Sequence, residues 1–146
     1  MRLPFLFLLL VGLTQAATAE SVLLPMHNAI DFDSGEVFEG PTGGAELTYP
    51  PMDADKLLGA RATEGNVLFV ANGNFDTLTE AEAMDAIANS ENEIRHWVGR
   101  QTYQTVVVML TDQNRLVKMT FPVCATPACD QLTFKYHAWA ASSTAD

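Results

Sequence analysis

Two alternating runs of apolar and polar residues near the C-terminal end of the chain predict a pair of β-strands. Apolar side chains occupy every second position, namely Val117, Met119, Phe121 and Val123 in the first run and Leu132, Phe134, Tyr136 and Ala138 in the second. A spacing of two is the period of a strand with one buried face. Residues 106–110 form a third apolar run before a turn-rich segment. The C-terminal third therefore predicts an antiparallel meander.

Further strands are predicted upstream. Residues 21–24 form a short apolar run that ends at Pro25, and residues 29–32 and 36–38 flank an Asp-Ser-Gly turn typical of a hairpin. Residues 66–71 are almost continuously apolar, which predicts a central strand covered on both faces. Residues 40–65 are rich in glycine and proline, and within them residues 40–59 predict a long surface loop with at most a short strand at residues 47–49.

One helix is predicted after residue 79. Thr79 and Glu82 have the spacing of a capping box, and apolar residues then recur at helical spacing: Ala81, Met84, Ile87 and Ala88. A second box, Ser90 with Glu93, predicts another short helix, although residues 94–98 also fit an extended chain. The fold class predicted is α+β, a mainly antiparallel sheet packed by one or two short helices, in one domain over residues 20–139 with a flexible tail at 140–146.

The same pattern predicts which side chains form the core. Buried positions are expected on the sheet at Val67, Phe69, Val107, Met109, Val117, Met119, Phe121, Phe134 and Tyr136, with Met84 and Ile87 of the helix packed on them.

The first nineteen residues have the layout of a secretory signal peptide. Arg2 precedes an apolar run at residues 3–13, and Ala17-Thr-Ala19 forms a small-residue cleavage site before Glu20. The protein is therefore expected to be periplasmic or secreted, without membrane insertion after cleavage. In an exported chain the only two cysteines, Cys124 and Cys129, are predicted to form a disulfide.

Acidic residues are concentrated in the first half of the chain. The formal net charge is −10, and residues 20–93 hold fifteen of the eighteen acids but only Lys56 and Arg61 as bases. Such a charge repels nucleic acid and favours a basic protein or a cation as partner, while it also serves solubility.

Candidate metal ligands are few. Asn72, Asn74 and Asp76 alternate as in a calcium loop, but Thr77 replaces the expected glycine and Glu82 comes one residue early. An Asn-Gly turn before a capped helix explains the same residues, so no metal site is predicted. Another acidic cluster, Asp31, Asp33 and Glu36, is interpreted as a solvated hairpin tip. The three histidines, His27, His96 and His137, lack ligand spacing, and His137 is expected to be exposed.

Several common catalytic and cofactor-binding motifs are missing from the sequence. It contains no Gly-x-Ser-x-Gly elbow, no phosphate-binding glycine loop and no Cys-x-x-Cys pair. No catalytic residue and no cofactor are therefore predicted, and a non-enzymatic role is favoured over an enzyme with an unfamiliar site.

The cysteine loop is the candidate binding site. A strand, Cys-x-x-x-x-Cys and a second strand in a small acidic exported protein is similar to the protruding loop of bacterial periplasmic inhibitors of vertebrate lysozyme, where the loop enters the enzyme's cleft. The similarity covers these six residues and their flanking strands. The family loop is polar and carries a histidine, whereas this loop has neither charge nor imidazole: Ala125, Thr126, Pro127 and Ala128.

Two functions follow as expectations. The first is an exported acidic binding or inhibitory module that presents the stiffened loop to a protein partner. The alternative is an exported enzyme or cation-dependent protein with a site near residues 72–82. The loop also has a purely structural interpretation, as a covalent staple between two strands.

Overall fold

The protein is built mostly from antiparallel β-sheet, with one short α-helix and one disulfide. The computed structural model describes residues 19–40, 44–50, 60–63, 65–94 and 105–140. The strands of the larger sheet are β1 (Glu20–Pro25), β6 (Leu68–Asn72), β7 (Glu93–Ile94), β8 (Thr105–Leu110), β9 (Leu116–Met119), β10 (Val123–Cys124) and β11 (Gln131–Ala138). Their order in the sheet is β1-β11-β9-β8-β6-β7, with β10 also paired to β11.

A smaller sheet covers one face of the larger one. Its strands are β2 (Asn28–Asp31), β3 (Glu36–Glu39), β4 (Leu47–Thr48) and β5 (Arg61–Ala62), in the order β3-β2-β4-β5. The turn at Met26 and His27 carries the chain from β1 in the larger sheet to β2 in the smaller one. All strand pairs in the described residues are antiparallel, and β8, β9 and β11 form the predicted C-terminal meander.

Two apolar clusters form the core, one on each face of the larger sheet. The first lies between the sheets and includes Phe32, Tyr49, Met109, Met119 and Phe134. The second lies between the larger sheet and α1 (Glu80–Ala88). Neighbouring residues of β8 belong to different clusters, Val107 to the first and Val108 to the second, as expected when successive side chains point to opposite faces of a strand.

The helix begins with the predicted capping box, but its buried side chains are not the predicted ones. The Thr79 hydroxyl accepts the Glu82 N–H, and the Glu82 carboxylate accepts the Thr79 N–H. The buried helical residues are Ala83 and Ala86, whereas Met84 is 45% exposed. The expectation that Met84 packs in the core is therefore wrong, because small residues let the helix backbone approach the sheet closely.

The predicted second helix is a single 3₁₀ turn, Ser90–Asn92, which continues directly into β7. Its N-terminal cap is Asn89, whose side chain accepts the Glu91 N–H, in place of the predicted Ser90. The extended alternative is therefore correct at Ile94, and the rest of that prediction, including Trp97 and Val98, lies outside the described residues.

The glycine- and proline-rich segment contributes to the core. The predicted strand is present as β4, but Ala45, Glu46, Leu47 and Tyr49 are all buried, so this part is not a surface loop. Among the predicted core residues, Val67 is 38% exposed and Phe69 and Phe121 are only partly buried. The other six predicted strand positions are buried as expected. None of the described helices is long and apolar enough to cross a membrane.

Candidate functional site

The cysteine loop lies at the surface between β10 and β11. Cys124 and Cys129 form the predicted disulfide. Ala125, Pro127 and Ala128 are exposed, while Thr126 is half-buried. The four predicted binding residues therefore lie together at the loop, with three of the four side chains open to solvent.

Hydrogen bonds hold this loop in one conformation. The Cys129 N–H donates to the Thr126 carbonyl at 3.0 Å, and the Ala125 N–H donates to the Gln131 carbonyl at 2.8 Å. The Thr126 hydroxyl donates to the Asp130 carboxylate. Cys129 has a φ of +53°, a left-handed conformation uncommon for a side-chain-bearing residue. The loop is thus fixed by more than its covalent bond.

Two further bonds join the loop to the rest of the protein. The Met26 N–H donates to the Asp130 carbonyl at 2.7 Å, and the buried Tyr49 hydroxyl donates to the Cys129 carbonyl at 2.5 Å. Burial raises the pKa of Tyr49, so its hydroxyl remains a donor. Because Tyr49 follows β4, it connects the loop to the smaller sheet.

The Asn72 to Glu82 region is a turn followed by a capped helix. The Thr77 and Leu78 N–H groups both donate to the Asn74 carbonyl, and the Asp76 N–H donates to the Asn74 side chain. Hydrogen bonds to Thr79 lower the pKa of Glu82. Its carboxylate is thus committed to the helix cap, as the turn interpretation requires.

A second polar site lies where the β2–β3 hairpin meets the β8–β9 turn. The carboxylates of Asp31, Asp33 and Glu46 each place an oxygen within 4.8 Å of the others. The hairpin positions Asp31 and Asp33, and the Glu46 N–H donates to the Ile30 carbonyl beside β2. We call Asp31, Asp33 and Glu46 the acidic cluster.

Glu46 is the most unusual member of the acidic cluster. Its side chain is 0% exposed, one oxygen accepts the Phe32 N–H at 2.7 Å, and the other, Oε1, has no hydrogen-bond partner. Burial raises the pKa of Glu46 to about 7, and the neighbouring acids Asp31 and Asp33 add to the effect. Glu46 therefore takes up or releases a proton near neutral pH.

Asp33 connects the hairpin to the β8–β9 turn. The Thr111 hydroxyl donates to Asp33 Oδ1 at 2.8 Å, whereas the buried Asp33 Oδ2 has no partner. Burial is the main cause that raises the pKa of Asp33. The Asp112 side chain also lies within hydrogen-bonding reach of both Asp33 and Glu46, so a fourth carboxylate borders the cluster.

An open cavity of about 300 Å³ adjoins the acidic cluster at Asp33. Its polar lining includes Glu20, Arg115, Tyr136 and His137. The Tyr136 hydroxyl donates to Glu20 at 2.8 Å, and burial with this bond raises the pKa of Tyr136 to about 12. Tyr136 is therefore a hydrogen-bond donor rather than a base at neutral pH.

His137 and Lys118 are neighbours on the helix-facing side of the larger sheet. His137 is partly buried against Trp139, which corrects the expectation of an exposed side chain, and burial lowers its pKa. Lys118 is 7% exposed and donates to the carbonyls of Phe75 and Leu78 at 2.5 and 2.9 Å. His27 lies in the exposed turn between β1 and β2, distant in sequence from His137, and His96 is outside the described residues.

The acidic cluster only partly follows from the sequence. Asp31 and Asp33 were expected to stand together, but Glu36 is exposed, and the third member is Glu46. Ala45, Leu47 and Tyr49 alternate with Glu46, a pattern that assigns Glu46 to the outer face of a strand. This alternation was the only sequence signal available for Glu46, and it predicts an exposed side chain, whereas the Glu46 side chain is buried.

Comparison with known proteins found no match for this chain. No family model, no curated protein and no solved structure matches the chain.

Proposed function

We propose that the protein is an exported binding or inhibitory module that presents its cysteine loop, residues 124–129, to a protein partner. The observation that carries this proposal is the combination of an exposed tip, a disulfide that closes the loop, and a C-terminal end bonded to two other segments of the chain. Ala125, Pro127 and Ala128 are open to solvent, while Tyr49 and Met26 hold the C-terminal end of the loop.

Preorganisation is the physical advantage of this arrangement. A flexible loop loses conformational entropy when it binds, whereas a loop already held by a disulfide and several hydrogen bonds loses little. Its exposed side chains are small and apolar, so they add contact area and shape rather than charge. A loop with these properties suits insertion into a cleft, which is also what the similarity to the lysozyme-inhibitor loop implies.

Charge supports a basic partner. The chain carries a formal net charge of −10, with most acids in its first half. Long-range attraction between an acidic module and a basic protein raises the association rate and weakens with salt. Export follows from the predicted signal peptide, and a disulfide is compatible with an oxidising compartment.

The test compares two arginine variants. Ala128→Arg introduces bulk and positive charge at the tip, and Ala81→Arg makes the same change on the exposed face of α1. The wild-type protein should form a stoichiometric complex with a basic exported protein, with a vertebrate lysozyme as the first probe. Ala81→Arg should keep that complex, and the loop variant should lose it at unchanged melting temperature.

A complex equally strong in the loop variant would exclude the loop as the binding site. Failure of the wild-type protein to bind or inhibit any basic exported protein would remove the proposed function itself.

A cation-dependent function is the second candidate, and a specific observation favours it. One oxygen of the Glu82 carboxylate is used in the helix cap. The acidic cluster instead brings buried carboxylate oxygens without hydrogen-bond partners together at Asp33 and Glu46.

A further inference from the structure

We propose that Asp31, Asp33 and Glu46 bind one divalent cation of the size of Ca²⁺. The site lies at the tip of the β2–β3 hairpin, away from the cysteine loop, and is independent of the function proposed for that loop.

Unpartnered buried oxygens are the first observation. Glu46 is 0% exposed, yet its Oε1 has no hydrogen-bond donor, and Asp33 Oδ2 is also buried without one. The Asp112 side chain lies within hydrogen-bonding reach of both residues, but an ionised carboxylate only accepts hydrogen bonds. A buried carboxylate oxygen normally accepts hydrogen bonds or contacts a cation, because desolvation without a partner is costly. Both oxygens belong to carboxylates of the acidic cluster, so an ion bound there would lie beside both carboxylates.

Spacing is the second observation. The three ligand oxygens all lie within 4.8 Å of one another. Oxygens on opposite sides of Ca²⁺ are about 4.8 Å apart, since each lies at about 2.4 Å, whereas around Mg²⁺ the corresponding distance is about 4.2 Å. Oxygens within 4.8 Å of one another can therefore belong to one Ca²⁺ coordination sphere after small side-chain adjustments.

The third observation is the sign of the surrounding charge. Among the described residues, the charges of Asp31 and Asp33 act on Glu46, and the Asp112 side chain lies within hydrogen-bonding reach of it, so the neighbouring titratable side chains are acids. Arg115 lies nearby, but its guanidinium donates to the backbone carbonyls of Asp33 and Trp139 and leaves the carboxylates unneutralised. Carboxylates this close cannot all be ionised unless a cation or a shared proton compensates their repulsion.

A bound cation and a shared proton place different demands on the oxygen ligands of the site. A shared proton needs no particular number of oxygen ligands, whereas Ca²⁺ takes six to eight. Asp31 already accepts the Asp33 and Ser34 N–H groups, but an ionised carboxylate has about four acceptor sites and can still bind an ion. The cavity beside Asp33 gives water a route to the remaining coordination positions.

The experiment measures calcium binding to the full chain after treatment with EDTA. Isothermal titration should show one Ca²⁺ per chain, and millimolar Ca²⁺ should raise the melting temperature by several degrees, because the ion binds only the folded state. NaCl and MgCl₂ at matched ionic strength control for general screening of an acidic protein. Magnesium should have a smaller effect than calcium.

Three variants locate the site. Glu46→Gln and Asp31→Asn each remove one charge but keep an oxygen, and Asn can still accept the hairpin N–H groups that Asp31 accepts. Each should weaken Ca²⁺ binding by at least about tenfold, since affinity follows ligand charge. Asp76→Asn is the matched control in the 72–82 turn and should bind Ca²⁺ like the wild-type protein.

Several results would overturn the proposal. They are a wild-type response to Ca²⁺ no larger than that to NaCl, an equal response to Mg²⁺, binding that survives both Glu46→Gln and Asp31→Asn, or binding lost in Asp76→Asn alone. If Glu46→Gln fails to fold, Asp31→Asn still decides the question.

Discussion

Replacing Glu46 with Gln should make the metal-free protein more stable at pH 8 and have a much smaller effect, below about 1 kcal/mol, near pH 5. The side chain is fully buried among other acids, so its ionised form is unfavourable in the folded state. Gln cannot ionise, and its amide oxygen can still accept the Phe32 N–H that Glu46 accepts at 2.7 Å. Its amide group also supplies a donor where Oε1 now has no partner.

The size of the effect follows from the pKa. Folding raises the pKa of Glu46 from 4.5 to about 7, and a tenfold change in proton affinity corresponds to about 1.4 kcal/mol. The ionised side chain therefore costs the folded state up to about 3 kcal/mol. Because the folded state binds the proton more tightly, this cost is absent well below pH 4.5, grows as the pH rises through 4.5, and is nearly complete above pH 7.

Other groups also titrate between about pH 5 and pH 8. The informative quantity is therefore the difference in unfolding free energy between wild-type and Glu46→Gln at each pH. The pKa of Asp33 is also raised, which adds a loss of stability as the pH rises. The pKa of His137 is lowered, and stability from this residue is lost as the pH falls below its ordinary value of 6.5. The contribution of His137 largely cancels in the difference between wild-type and Glu46→Gln. That of Asp33 cancels only in part, because the charges of Asp33 and Glu46 act on each other, and the remainder adds to the effect with the same sign.

Urea unfolding in EDTA at several pH values from 5 to 8 provides the measurement. Glu36→Gln, an exposed carboxylate on the same hairpin, is the matched control and should follow the wild-type curve. A difference between wild-type and Glu46→Gln that does not change with pH would refute the reasoning. A Glu46→Gln protein less stable than the wild type at pH 8 would refute it as well.

Three further predictions concern the framework around the sites. Lys118→Met should destabilise the protein by about 3 kcal/mol in urea, because the carbonyls of Phe75 and Leu78 lose a charged donor; a loss below about 1 kcal/mol would show that water replaces the lysine. Thr79→Ala should cost about 1 kcal/mol through loss of the helix cap, and unchanged unfolding would contradict that role. Reduction of the disulfide should lower stability by about 2 kcal/mol without abolishing the fold, and identical melting curves with and without reductant would contradict this.

The strands were predictable where one face is buried and alternation is strict. Leu132, Phe134 and Tyr136 of β11 point to the core between the sheets, as their spacing indicates. The helix face was not predictable in the same way. Met84 attracts attention because it is large and apolar, but contact with the sheet depends on close approach, which Ala83 and Ala86 permit.

The acidic cluster depends on contacts between distant parts of the chain, which local patterns do not encode. Asp31 and Asp33 belong to one hairpin and were expected together, but Glu46 reaches them only because the smaller sheet places its segment beside β2. Asp112 arrives from a turn of the other sheet. The disulfide was easier to predict, since a chain with two cysteines allows a single intramolecular pairing.

Strand β3 forms an edge of the smaller sheet, and its composition bears on how the protein behaves at high concentration. An edge strand offers unpaired backbone groups to which a strand of another molecule can add. Exposed Glu36 and Glu39 stand at the two ends of β3, with Val37 partly open between them. Two strands of this kind would bring like charges together, so the glutamates oppose edge-to-edge aggregation. Acidification or loss of these two carboxylates removes that protection and leaves β3 open to intermolecular pairing.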